Sequence, residues 1–131
     1  MDIRETYIEV MNFLAASGGS YTNHDTQTCR DIIDAIINKQ CRIVRDQDGH
    51  IVTFTSWWMI HEIDLERVKN GFRPRDIFTG NIAYISDHAG AGAYPEMIRF
   101  IKSFTDWGCW HHRYKHPDRF RQYKKRGIAH V

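Results

Sequence analysis

Proline and cysteine are scarce in this chain, three of each in 131 residues, and there are nine glycines. So little of either excludes a collagen repeat and a Pro/Gly-rich disordered tract. The cysteines, Cys29, Cys41 and Cys109, are odd in number, widely spaced and set beside apolar or aromatic neighbours. A disulfide framework is therefore not expected, and buried reduced thiols are. No apolar run approaches the length of about 18 residues that a membrane-spanning helix needs. Met1 to Glu5 also lacks the basic-then-apolar layout of a signal peptide, so a soluble, cytoplasmic protein is expected. Net charge is only +2, which gives no general attraction to polyanions. With 42% hydrophobic and 26% charged residues, the chain reads as one globular domain over residues 1–131.

What is present is pattern. Ile3, Tyr7, Val10, Met11 and Leu14 form one helical stripe that should stop at Gly18 and Gly19. Cys29, Ile32, Ile33, Ile36 and Ile37 repeat it, so a second helix is expected over about 26–39, with Asp25 or Thr26 as N-cap. Ser17 to His24 between them is a polar loop. Cys41 to Arg45 and Ile51 to Met59 are rich in β-branched and aromatic residues, and Asp48-Gly49 tolerates a tight hairpin turn. Residues 62–70 are read as a short amphipathic helix and Gly71 to Thr79 as a loop.

A third strand is expected over Asn81 to Asp87 and a long helix over Pro95 to Trp107, Pro95 suiting a first helical turn. Met97, Phe100, Ile101 and Phe104 supply its apolar face. Cys109 to Tyr114 reads as a strand, Pro117 to Arg126 as a short helix and Ile128 to Val131 as a last strand. This order of elements favours an α/β or α+β layered domain with a mixed sheet.

Between the third strand and the long helix lies Asp87-His88-Ala89-Gly90-Ala91-Gly92-Ala93. Small residues before a helix N-terminus expose unpaired backbone N–H groups at the positive end of the helix dipole, the requirement for holding a phosphate. A Rossmann fingerprint fits poorly, and the Lys-Ser/Thr of a P-loop is absent. A tight strand-to-helix turn is the plain alternative.

The spacing Asp87-x-x-Gly90-x-Gly92 resembles the acyl-CoA pyrophosphate loop of the GNAT superfamily of N-acetyltransferases, whose pattern is Arg or Gln, two residues, Gly, any residue, Gly or Ala. Asp118 to Ile128, with Tyr123 and Gly127, resembles that superfamily's late helix before its last strand. The early helices and the hairpin also fit, so the likeness covers nearly the whole chain. A branch of the superfamily, the toxin-activating lysine acyltransferases, is similar at Arg45-Asp46 leading into Ser56-Trp57, and from Thr79-Gly80 to Phe104. Small acetyltransferase-like proteins of bacteriophages, some used in virion assembly, also look similar.

The resemblance implies a twisted mixed sheet flanked by helices, with a donor groove near Asp87 to Tyr94. His88, Ala89, Gly90, Ala91, Gly92, Ala93, Tyr94 and Arg119 would hold an acyl-CoA or an acyl-carrier phosphopantetheine. The acyl group would pass to an amine acceptor, a lysine or an N-terminus, with a protein as one candidate. His24 and Asp87 match the branch's His near the N-terminus and Asp on the central strand. His24 would be base, Asp87 its orienting partner or the base itself, and Tyr123 the acid for the leaving thiolate. A bulge amide at Ser86 to His88 would polarise the thioester. Two departures stand out: Asp87 replaces Gln or Arg beside a pyrophosphate, and Ile128 replaces an aromatic. The chain also lacks the extra strand and helix length of larger members, so the resemblance implies an acceptor site that is incomplete or completed by a homodimer partner. The alternative class is a non-catalytic partner-binding or assembly protein, in a host cytoplasm or a virion.

Residues 110–126 hold seven of the 18 basic and one of the 16 acidic residues, interleaved with Trp110, Tyr114, Phe120 and Tyr123. An amphipathic helix with a basic outer face ranks first, contact with donor phosphates second and nucleic acid third. Cys109, His111, His112 and His116 match no strong zinc pattern, and no metal is expected. Nothing is read into His50 or His61. Of Trp57 and Trp58, one ring is expected in the core and one in a groove or interface.

Overall fold

The structure is a computed structural model and describes residues 2–17, 25–90, 94–112 and 116–125. Helix α1 (Ile3–Ser17) follows the apolar stripe, burying Val10 and Leu14 completely while Ile3 stays exposed. Helix α2 (Thr26–Ile37) begins at Asp25, whose Oδ1 accepts from the Thr28 N–H at 2.7 Å. Its C-terminus closes in a Schellman pattern, with Gln40 N–H to Ala35 O at 2.8 Å and Lys39 N–H to Ile36 O at 3.3 Å. The residue at the left-handed position is Lys39, φ 58°, where a Cβ is sterically disfavoured.

Strands β1 (Cys41–Arg45) and β2 (Ile51–Ile60) form the expected antiparallel hairpin, Cys41 opposite Ser56 and Val44 opposite Thr53. Asp46 organises the turn by accepting from the N–H groups of Asp48 and His50, each at 2.9 Å. A 3-10 turn (Glu62–Asp64) and α3 (Leu65–Lys69) make the short helical segment. Strand β3 (Ile82–Gly90), helix α4 (Tyr94–Lys102), β4 (Trp107–His112) and β5 (His116–Lys124) complete the order. The chain is thus α+β, with a mixed five-stranded sheet in the order β1-β2-β3-β4-β5. Strands β3 and β4 run parallel, Ala83 opposite Gly108 and Ile85 opposite Trp110, and a parallel pair needs a crossover, here the segment carrying α4.

Two compact units divide the chain: Met1–Trp57 with Asp87–Gly92, and Trp58–Ser86 with Ala93–Val131. The first has a core of Val10, Leu14, Ile32, Ile36, Ile51, Phe54 and Ala89. In the second, Ile60, Val68, Ile82, Tyr84 and Cys109 are joined by the partly buried Trp58, Leu65, Trp107 and Phe120. All three cysteines are free thiols, and burial pushes Cys109 up to about 12 and Cys41 up to about 11. No helix among the described residues is long and apolar enough to cross a membrane.

Three expectations need correction. The segment expected as a helix from Pro117 to Arg126 is a strand over its described part, with Gly108 opposite Tyr123 and Trp107 opposite Lys124. Pairing with β4 satisfies its backbone and overrides a weak helical pattern that rested on Phe120 and Tyr123 alone. Strand β3 extends to Gly90 instead of stopping at Asp87. Helix α4 ends at Lys102, well short of Trp107, because the Thr105 N–H turns back to Ile101 O at 3.0 Å and its hydroxyl meets the Trp107 N–H at 3.3 Å. Phe104, expected on the apolar face, is therefore left 45% exposed. The last strand expected over 128–131 lies outside the described residues.

Two substitutions test this description. A Cβ on Gly108 would come within 2.5 Å of the Tyr123 ring, and that ring is tethered by its hydroxyl to Thr105 O at 3.1 Å. Gly108→Ala should destabilise by about 1–3 kcal/mol through overpacking, and by clearly less in a Tyr123→Ala background, measured as a double-mutant cycle in urea. Lys39→Gly should raise stability by up to about 1 kcal/mol by removing the left-handed Cβ clash; a loss would refute the Schellman geometry.

Candidate functional site

Polar side chains concentrate where the buried run of β3 ends. Residues Ile82 to Ser86 are all buried, Asp87 and His88 are half-buried, and Ala89 returns to the core. Each of the two central polar residues meets a hydroxyl from β2. Ser56 Oγ donates to Asp87 Oδ2 at 3.2 Å, and Thr55 Oγ1 lies 2.8 Å from His88 Nδ1. Thr55 and Ser56 are each 2% exposed, so both hydroxyls act as fixed dipoles with little competition from water. Successive strand residues face opposite sides. The Ser56–Asp87 pair shares its side with Phe54 and Ala89 of the core, and the Thr55–His88 pair lies on the other.

This geometry alters the loop expected from the sequence. Asp87, His88, Ala89 and Gly90 are strand, and strand N–H groups alternate between the two edges instead of converging on one anion. Gly90 has a packing reason to lack a side chain: its φ is 109°, and a Cβ there would lie 2.1 Å from Val52 O and 2.8 Å from the Phe13 ring. His24, Ala91, Gly92 and Ala93 lie outside the described residues, and Tyr94 is described only as the first residue of α4.

Tyr123 and Arg119 sit on β5, not on a late helix. The Tyr123 hydroxyl donates to Thr105 O, and burial, with smaller effects from Asp106 and Cys109, pushes its pKa up to about 12. Lys102 Nζ stands 5.0 Å from the centre of its ring. Arg119 is exposed.

Two clusters were not singled out by sequence. In the first, His61 Nε2 lies 3.0 Å from Asp76 Oδ2 and 2.8 Å from Thr79 Oγ1, and the Thr79 hydroxyl donates to the same carboxylate oxygen. The Phe78 N–H donates to Asp76 Oδ1 at 2.8 Å. Thr79 directs its proton to the carboxylate and not to the imidazole, so this trio braces the 71–79 loop and does not activate a nucleophile. The legible signal was Asp76 three residues before Thr79, a spacing that suits local side-chain turns. His61 comes from a different element and had no such signal.

In the second cluster, His111 Nε2 lies 3.3 Å from Lys69 O and Nδ1 lies 2.8 Å from the Tyr84 hydroxyl. A carbonyl only accepts, which places the proton on Nε2 and leaves Nδ1 to accept from Tyr84. Trp58 stacks on Tyr84 at 5.3 Å with the Arg73 guanidinium 5.1 Å from its own ring centre. Trp57 is buried as expected for one of the pair, but Trp58 packs on a core instead of lining a groove. Cys109 is fully buried and His111 is held by these bonds, so neither is presented to a metal. Among the described residues, Asp46, Asp48 and His50 come within 4.8 Å of one another on the exposed hairpin turn.

No protein-family model matches this chain, and no curated protein matches it.

The Asp76 brace makes a prediction with a definite sign. Its carboxyl is held down to about 2, first by the Thr79 hydroxyl, then by the Phe78 N–H and His61. A depressed carboxyl contributes stability that is complete above its unfolded value near 3.9 and is lost as pH falls from about 4 to about 2. NMR titration should find the Asp76 midpoint near the lower end of that window, and Thr79→Val should move it up toward the ordinary value. A midpoint unchanged by Thr79→Val would refute the hydroxyl's role.

Proposed function

We propose that this chain is an acyltransferase-like protein that binds an acyl thioester of CoA or of a carrier phosphopantetheine and passes the acyl group to an amine. The observation that supports it best is the placement of Asp87 and His88 near the carboxyl end of β3. That strand has a parallel neighbour, β4, and connects to it through α4. In open sheets with parallel strands, ligands bind outside the carboxyl ends of the strands. Each side chain is already oriented there, Asp87 by Ser56 on one side of the strand and His88 by Thr55 on the other, so a donor on either side meets one of them.

In this reaction the amine nitrogen attacks the thioester carbonyl, the C–N bond forms and the C–S bond breaks. The amine proton passes to a base, and the base returns it to the departing thiolate, so amine and thioester give amide and thiol. A carboxylate at Asp87 or an imidazole at His88 is a suitable base. Tyr123 is left out of the proposed chemistry, since its proton is held by Thr105 and its acidity is reduced. His24 remains a proposed base by resemblance alone. The second reading, a non-catalytic partner-binding protein, draws support from Gly90, whose missing side chain is accounted for by packing against Val52 and Phe13.

Calorimetric titration with CoA and acetyl-CoA, then with an acyl-loaded carrier protein, decides between the two. The enzyme reading expects saturable binding of one of these donors and acyl transfer to a lysine-containing peptide. Asp87→Asn keeps an acceptor for Ser56 and removes the carboxylate's basicity. It should leave donor binding within about threefold while cutting the transfer rate on the order of a hundredfold. Binding of neither donor would overturn the enzyme reading in favour of the partner-binding one.

A further inference from the structure

Folding of residues 116–124 as a strand assembles a positive surface that no stretch of sequence displays. Arg119 and Arg121 project from β5, two residues apart and both exposed. Arg121 shares its side of the strand with Tyr123. The Lys102 ammonium stands over that Tyr123 ring, which brings the last turn of α4 to the same side of β5. Arg99 lies three residues before Lys102, one helical turn away on a neighbouring face, and both are exposed. Arg99, Lys102 and Arg121, from two elements of the second unit, thus share one surface, and Arg119 lies beside Arg121 where the β4–β5 register shifts.

Among the residues whose side chains are described, none pairs with any of the four in an ion pair. Asp106, beside the same strand, is taken by Lys125 at 3.4 Å. Glu96 is exposed in the first turn of α4 and makes no ion pair with Arg99. The described aromatic rings of this region are buried or half-buried except Phe104, which is 45% exposed. Phe120 packs on the core and on His111 at 5.1 Å, Tyr123 is hydrogen-bonded to Thr105, Trp107 lies under Lys124 at 4.1 Å, and Trp110 is buried.

We propose that the surface formed by Arg99, Lys102, Arg119 and Arg121 binds the phosphate backbone of duplex nucleic acid without sequence preference. Unpaired guanidinium and ammonium groups supply the contacts that carry sequence-independent binding. Single strands are gripped by bases stacking on a run of exposed rings; here one exposed ring, Phe104, stands among half-buried ones, which favours a duplex. Arg119 and Arg121 are two residues apart, so their Cα atoms lie at most about 7 Å apart, within the span of about two phosphates along one DNA strand. The proposal stands independently of acyl transfer.

The test is fluorescence anisotropy with short mixed-sequence DNA duplexes across a range of salt. Four phosphate contacts predict a log–log salt slope of about −3 to −4, a loss of about a hundredfold between 50 and 200 mM salt. Arg99→Gln/Arg121→Gln should flatten the slope by about two while leaving circular dichroism and the melting temperature unchanged. Equal affinity for two unrelated duplexes is also expected. Any of four results would overturn the proposal: no binding at low salt, a slope unaffected by the double variant, tighter binding to single-stranded DNA, or equal binding to polyglutamate.

Discussion

A strand buried on both faces has no water to satisfy its backbone, so every N–H and C=O must find a partner on a neighbouring strand. Strand β3 is in this position from Ile82 to Ser86, and the rest of the architecture answers to it. It takes β2 on one side and β4 on the other. Because β4 is parallel, the chain has to leave the sheet and return, and α4 lies on that return. Once β4 is in place its own outer edge needs a partner, and β5 supplies it through an antiparallel ladder from Trp107–Lys124 to His111–Phe120.

Polar side chains appear where that constraint relaxes. Asp87 and His88 are half-buried, and groups of that kind are stable only with hydrogen-bond partners. Thr55 and Ser56 provide them from within a strand otherwise rich in β-branched and aromatic residues. The same two hydroxyls that make these residues tolerable also orient them, which is what a reacting group requires. Orientation and stability here come from one set of bonds.

Charge is organised on a different principle. Several cations lie against rings, Arg73 by Trp58, Lys124 by Trp107, Lys102 by Tyr123 and Lys69 by Phe120. Such contacts keep the aliphatic stems packed while the heads stay hydrated. These four rings are thereby partly covered by charged side chains. In the fold the residues of β5 are divided, with Arg119 and Arg121 exposed and Phe120 and Tyr123 half-buried.

The sequence by itself determined the elements whose causes are local. The stripes of α1 and α2, the Asp25 cap, the turn before Gly49 and Pro95 in the first turn of α4 all follow from neighbours within one or two turns of chain. The α+β class with a mixed sheet followed from their order. Only the tertiary structure decided that residues 116–124 are a strand, since the backbone partner that makes them one lies on β4. Tertiary structure also carried β3 through to Gly90, where Val52 and Phe13 approach too closely for a side chain. The hydroxyl partners of Asp87 and His88 stand more than 30 residues away in the chain, and His61 reaches Asp76 and Thr79 across a loop. Pairings over such distances leave no periodicity to read, because they are set by strand register and not by the identity of nearby residues.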